Sequence, residues 1–125
     1  MNKKNTYALL TLTTLSFPVH SVVKKGDALV YGKSDGEISI FQIQGHPSQA
    51  KFKIITNVDM HVCNVEGIAD TLSDSKTFTQ RQWQDTNQCK IILKWSNKQI
   101  QVTATDECNS YCGLNANSSM NGIYR

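Results

Sequence analysis

From Glu37 onward the chain alternates apolar and polar residues with a period of two over most of its length, the pattern of strands with one buried face. "CKIILKWSNKQIQVTAT" shows it most clearly. Cys89, Ile91, Leu93 and Trp95 share one face, and Ile100, Val102 and Ala104 alternate with Gln99, Gln101 and Thr103. Ser96-Asn97-Lys98 supplies a polar turn between the runs, so the pattern predicts a hairpin with Asn97 near its tip. "EISIFQIQ" from Glu37 and "AKFKIITNV" from Ala50 predict a second pair, joined through Gly45-His46-Pro47-Ser48. "HVCNVEGIA" reads as a strand from His61, bent at Gly67, where a missing side chain tolerates a bulge. Short strands are expected at Ala28–Tyr31, Thr77–Thr79 and Gly122–Arg125. The polar stretch 70–88, "DTLSDSKTFTQRQWQDTNQ", reads as a loop with at most one helical turn. No long segment keeps a helical apolar stripe, and no repeat or linker divides the chain. The expected fold is all-β, a small antiparallel barrel or sandwich of about seven or eight short strands.

The amino terminus changes the composition that matters. "MNKKNTYALLTLTTLSFPVHS" places Lys3 and Lys4 before a mildly apolar stretch, then Pro18 and Val19-His20-Ser21. That order predicts a signal peptide over 1–21, cleaved after Ser21, and a single exported domain over 22–125. The stretch is too short to span a bilayer, which takes about 20 apolar residues. The first cysteine is Cys63, so no lipid anchor is expected at the cleavage point and the protein should be periplasmic or secreted. Removing the first 21 of 125 residues leaves 104 and takes two lysines, so 11 basic residues face 10 acidic ones and the net charge falls from +3 to +1. A near-neutral surface argues against nucleic acid, whose nonspecific binding draws on a clustered basic patch.

Four cysteines in an exported chain predict two disulfides, Cys63, Cys89, Cys108 and Cys112 all being used. With Asn97 at the hairpin tip, Cys89 lies opposite residue 105 or 106, close to Cys108. This favours Cys89 with Cys108 and Cys63 with Cys112; the rival pairing is Cys108 with Cys112 and Cys63 with Cys89. A four-thiolate zinc site is the competing use, but zinc knuckles place two close pairs, and Cys63 and Cys89 stand far apart. Either disulfide pairing makes the carboxyl-terminal segment a staple, and Gly113 is expected to serve a turn that a side chain would block.

"CNSYCGLNANSSMNGIYR" resembles the carboxyl-terminal signature C-x-x-Y-C-G-x-x-A, followed by G-x-Y, of small exported bacterial proteins that are mostly uncharacterised, some of them loosely grouped with lysozyme-inhibitor-like proteins. Cys108, Tyr111, Cys112, Gly113, Ala116, Gly122 and Tyr124 carry the match. The resemblance implies a shared disulfide-bonded fold, with an inhibitory function as the associated expectation.

Catalytic motifs do not emerge. The chain has no nucleophile elbow, zinc-protease helix or phosphate loop. His61 and Cys63 fall on one strand face at a spacing two metal ligands could use, without a visible third ligand. Asp106 and Glu107 are adjacent and diverge in extended chain, a poor acid/base pair; Asp70 and Asp85 could meet only through folding. No enzyme activity, cofactor or metal is therefore expected. A rigid stapled domain suits recognition of a protein partner, because loops fixed in advance lose less entropy on docking. Arg81 and Trp83, in the polar stretch, and Tyr111, between two cysteines, are the expected binding residues, of the types enriched among interface anchors. The expected function is a non-enzymatic inhibitor or immunity protein against a cell-wall hydrolase such as lysozyme. A small-ligand carrier or an envelope structural component is the alternative.

Overall fold

The computed structural model describes residues 23–25, 28–96 and 98–125. The expected signal peptide, its cleavage point and Asn97 at the hairpin tip lie outside the described residues. The chain forms a nearly closed antiparallel barrel in which each strand pairs with the next in sequence. The strands are β1 (Val23–Lys25), β2 (Ala28–Lys33), β3 (Gly36–Gln42), β4 (Gln49–Val58), β5 (His61–Asp74), β6 (Thr79–Gln84), β7 (Lys90–Ser96), β8 (Gln99–Ala104) and β9 (Gly122–Tyr124). Two 3₁₀ segments, Asp106–Tyr111 and Leu114–Ala116, fill the connection between β8 and β9. Gly32 and Arg125 exchange backbone hydrogen bonds of 2.7 Å in both directions, bringing the last residue against β2 and the ends of the sheet together. Such closure shortens the unpaired edges that would otherwise recruit foreign strands.

The alternation read from the sequence sets what lies inside. Ile38, Phe52, Ile54, Cys63, Ile91, Leu93 and Tyr124 are fully buried, with Ile38 opposite Ile54 and Leu93 opposite Val102 in the strand registers. In a barrel this narrow, inward side chains fill the interior. The Tyr124 hydroxyl donates to the carbonyl of Met120 at 2.7 Å, and its burial pushes the phenol well above its ordinary range.

Both predicted hairpins are present, β7 meeting β8 with Trp95 opposite Ile100 and β3 meeting β4 with Ile40 opposite Phe52. The disulfides are Cys63–Cys112 and Cys89–Cys108. They bind the 3₁₀ segments across the barrel end that carries the β2–β3, β4–β5 and β6–β7 turns. Ala116 and Met120 plug that end, both buried. Two disulfides fit an oxidising, extracellular environment. Among the described residues, no helix is long and apolar enough to cross a membrane.

The stretch 70–88 is corrected. It is not a loop: β5 runs on to Asp74, and β6 occupies Thr79–Gln84. Its inward positions are Thr79, Arg81 and Trp83, so the alternation is real but hidden by an arginine where a small apolar residue would be expected. The irregularity in β5 falls between Thr71 and Ser73, and Gly67 stands in regular register opposite Phe52.

Candidate functional site

Trp83 does not project from a loop. Its ring lies in the barrel wall, edge-on to Phe52 at 5.7 Å and to Tyr111 at 6.1 Å between centroids. It also covers the backbone of Gly67, where an added Cβ would stand 2.7 Å from the ring Cδ1. Gly67 is therefore glycine because an indole occupies its side-chain space. Trp83 remains half-buried.

Arg81 closes the opposite mouth of the barrel. Its guanidinium stacks over Trp95 at 4.2 Å, and Nη2 donates to the carbonyl of Pro47 at 3.4 Å. Among the described residues, Nε is buried without a hydrogen-bond partner. Burial lowers the guanidinium's pKa, and the charge of Asp74 opposes that shift. Arginine serves here as a plug whose planar face covers an aromatic ring.

Tyr111 donates to Oδ2 of Asp85 at 2.6 Å. The same carboxylate accepts backbone N–H groups of Asn87 at 2.8 Å and Cys89 at 2.9 Å through Oδ1. The Tyr111 bond is the main cause holding Asp85 below the ordinary carboxylate range, with the two N–H bonds adding and partial desolvation opposing. The same contact raises the Tyr111 phenol. Asp70 is committed elsewhere, accepting from Gln49 at 2.8 Å. Arg81, Trp83 and Tyr111 are thus brought into packing with Trp95, Gly67 and Asp85.

The other residues of the carboxyl-terminal signature have structural positions as well. Gly113 has an ordinary φ of −68°, and its need for glycine comes from His61, whose Nδ1 would lie 2.8 Å from an added Cβ. The expected turn requirement is thus replaced by a close approach. Gly122 has φ +136°, and beside it Lys33 reaches Asp35 at 2.6 Å and the Ser119 carbonyl at 2.5 Å. All four cysteines are in disulfides, and among the described residues no group of three or more His, Cys, Asp or Glu side chains is placed to hold a metal.

Two surfaces remain that packing does not explain. One is the β4–β5 tip. Val58 pairs with His61, so the turn consists of Asp59 and Met60, at φ 48° and 68°. A two-residue turn of this hand demands positive φ at both positions and favours Asn-Gly. Aspartate tolerates this conformation, whereas methionine is held there at a cost of about 1 kcal/mol or more. Met60 is 99% exposed, Val62 follows on the outer face at 42%, and Leu114 is 82% exposed. Gly113 donates to the carbonyl of Val62 at 3.0 Å, and the Cys63–Cys112 bridge fixes the base of this group. The same barrel end carries Asp35, Asp59, Asp85, Asp106 and Glu107.

The second surface is the outer face of β6, β7 and β8. Gln80 faces Lys94, Gln82 faces Ile92 and Gln84 faces Lys90; Lys94 in turn faces Gln101, and Ser96 faces Gln99. None of the three strands contains a carboxylate. At the end of this face an open groove of about 570 Å³ lies between the β5–β6 and β7–β8 turns, bordered by Lys76, Thr77, Ser96, Lys98 and Gln99. An adjoining groove of about 300 Å³ runs over Phe78 and Lys94, where the lysine amine stands 4.4 Å above the ring.

Sequence reasoning passed over both surfaces. A methionine in the two-residue gap between alternating runs was the available signal for the first, and glutamine at every second position of "TQRQWQ" and "QIQ" for the second. Compared with protein-family models, curated proteins and solved structures, the chain matches none.

Proposed function

We propose that the protein is a non-enzymatic, exported inhibitor, periplasmic or secreted, that blocks a cell-wall hydrolase of the lysozyme type with its β4–β5 tip. The observation that carries this reading is Met60, fully exposed and held in a left-handed conformation beside Val62 and Leu114. Strain of this kind persists where the surrounding structure enforces it and tends to mark functional positions. A prong fixed by a disulfide has already lost the entropy that a free loop would lose on docking.

Charge supports the choice of partner. A hydrolase that works on an anionic wall polymer gains from a cationic rim around its cleft. The end bearing Met60 also bears Asp59, Asp106 and Glu107, all exposed, which complements such a rim and steers encounter. A muramidase cleft holds its sugars between two carboxylates. Met60 and Leu114 block it by filling an apolar sugar subsite. Arg81, Trp83 and Tyr111 serve this function indirectly, by keeping the barrel rigid. The resemblance of the carboxyl-terminal signature to lysozyme-inhibitor-like proteins points the same way. A carrier is less well supported, because Phe52, Leu93 and Tyr124 occupy the interior.

The test is inhibition of c-type, g-type and i-type lysozymes and bacterial amidases by micromolar mature protein, with complex stoichiometry from native mass spectrometry. One-to-one inhibition of at least one enzyme is expected. No inhibition across the panel, or a copurifying small molecule, would overturn the proposal.

A further inference from the structure

The outer face of β6–β8 has a composition that a merely solvated surface does not require. Exposed sheet faces ordinarily mix both signs of charge, as β4 and β5 do where Lys53 faces Glu66. On the outward face of β6–β8 the charged residues are Lys90 and Lys94, and the remaining outward positions are mostly glutamine. Gln82, Gln84, Gln99 and Gln101 make no side-chain hydrogen bond within the described residues; Gln80 accepts one from Ser73 at 3.2 Å. The nearest outward carboxylate across the sheet is Asp70, opposite Gln82, and it is bonded to Gln49.

We infer that this face binds an extended acidic polysaccharide, a chain of carboxylate-bearing sugars. Each glutamine offers two N–H donors and a carbonyl acceptor, which together satisfy a hydroxyl in either direction. Strand geometry places the glutamines roughly every 7 Å along β6 and β8, and β7 separates the two rows by roughly 10 Å, the scale of one to two sugar rings. Ile92 lies between the glutamine rows and supplies an apolar patch for the C–H face of a ring. Lys90 and Lys94 meet the carboxylates, and Lys76 extends the cationic track into the groove beyond Phe78. A nucleic acid is a poorer occupant, because phosphate binding draws on dense cation clusters and amides contribute little to it. An acidic peptide leaves most of the amide lattice unused. The surface lies on the barrel wall, away from Met60, so it stands or falls independently of the inhibitory function.

Isothermal titration of the intact disulfide-bonded protein with alginate oligomers, at low ionic strength, tests this. Dextran serves as the neutral control, and polyglutamate and single-stranded DNA as anionic controls. Alginate should bind more tightly than either anionic control, and dextran should not bind. Lys94→Gln and Gln101→Ala should each weaken alginate binding about five- to tenfold, the loss expected for one hydrogen bond to a charged or neutral group. Both positions are exposed, and unchanged far-UV circular dichroism would show that the variants fold. Absence of alginate binding overturns the inference. So does equal or tighter binding of polyglutamate or DNA, and so does alginate affinity that falls in Lys94→Gln and not in Gln101→Ala, which would reduce the face to a simple charge patch.

Discussion

Gly67→Ala isolates the packing of the barrel wall. In an ordinary strand, alanine is favoured over glycine by about 0.5–1 kcal/mol, because glycine loses more backbone freedom on folding. Here the new methyl would meet the Trp83 ring, with Cδ1 at 2.7 Å and Cε2 at 2.8 Å. The ring cannot simply slide away, since Phe52 and Tyr111 flank it. Overpacking of this kind costs about 1–3 kcal/mol, so the net expectation is a loss of about 1–2 kcal/mol. Trp83→Ala alone should cost about 2–3 kcal/mol, below the range for a fully buried tryptophan because the ring is half-exposed. In that background the methyl meets open space, and Gly67→Ala should become neutral or stabilising. The two positions should therefore couple by about 2 kcal/mol, as contacting residues can. Urea denaturation followed by far-UV circular dichroism, which does not depend on the deleted fluorophore, reads all four proteins. An equal penalty for Gly67→Ala in both backgrounds would refute the placement of the indole over Gly67.

The two disulfides and the Tyr111–Asp85 bond give further expectations. Each disulfide should be worth about 2–5 kcal/mol when removed as a Cys-to-Ala pair. Cys63–Cys112 closes a separation of 49 residues against 19 for Cys89–Cys108, so its loss should cost about 0.8 kcal/mol more on loop entropy; denaturation midpoints of the two double variants in the reverse order would contradict this. Asp85 has a depressed pKa when folded, so its contribution is present above the ordinary carboxylate pKa and is lost as pH falls through the depressed value. Tyr111→Phe should move the Asp85 carboxyl upward in an NMR titration and flatten stability against pH on the acid side; an unmoved carboxyl would show that the two backbone N–H groups hold it alone.

The alternation between Cys89 and Ala104 was legible because Ile91, Leu93, Ile100 and Val102 all face the apolar interior. That register placed Cys108 near Cys89 and so favoured, over the rival Cys108–Cys112 and Cys63–Cys89, the pairing that the structure has. β6 was illegible for the opposite reason. Its inward residue Arg81 is at the barrel mouth, where the guanidinium stacks over Trp95 and donates to the carbonyl of Pro47, so the hydrophobic period is missing even though the geometric one is intact. The β4–β5 tip was hidden because "VDMH" contains no glycine or asparagine to announce a turn with positive φ. That local sequence preference was overridden by the pairing of the two longest strands, β4 and β5. Gly113 looked like a turn residue and proved to be a contact residue, a distinction set by His61, which is 52 positions away in the chain.

Met60→Gly places the central claim under the most direct strain, because stability and function should move in opposite directions. Glycine adopts positive φ without penalty, so the variant should be more stable than the parent by about 1 kcal/mol. If Met60 is the prong that fills the hydrolase cleft, the inhibition constant measured on the same preparation should rise by about thirtyfold or more, the hot-spot scale of 2 kcal/mol. A variant that is more stable and inhibits as well as the parent would contradict the account.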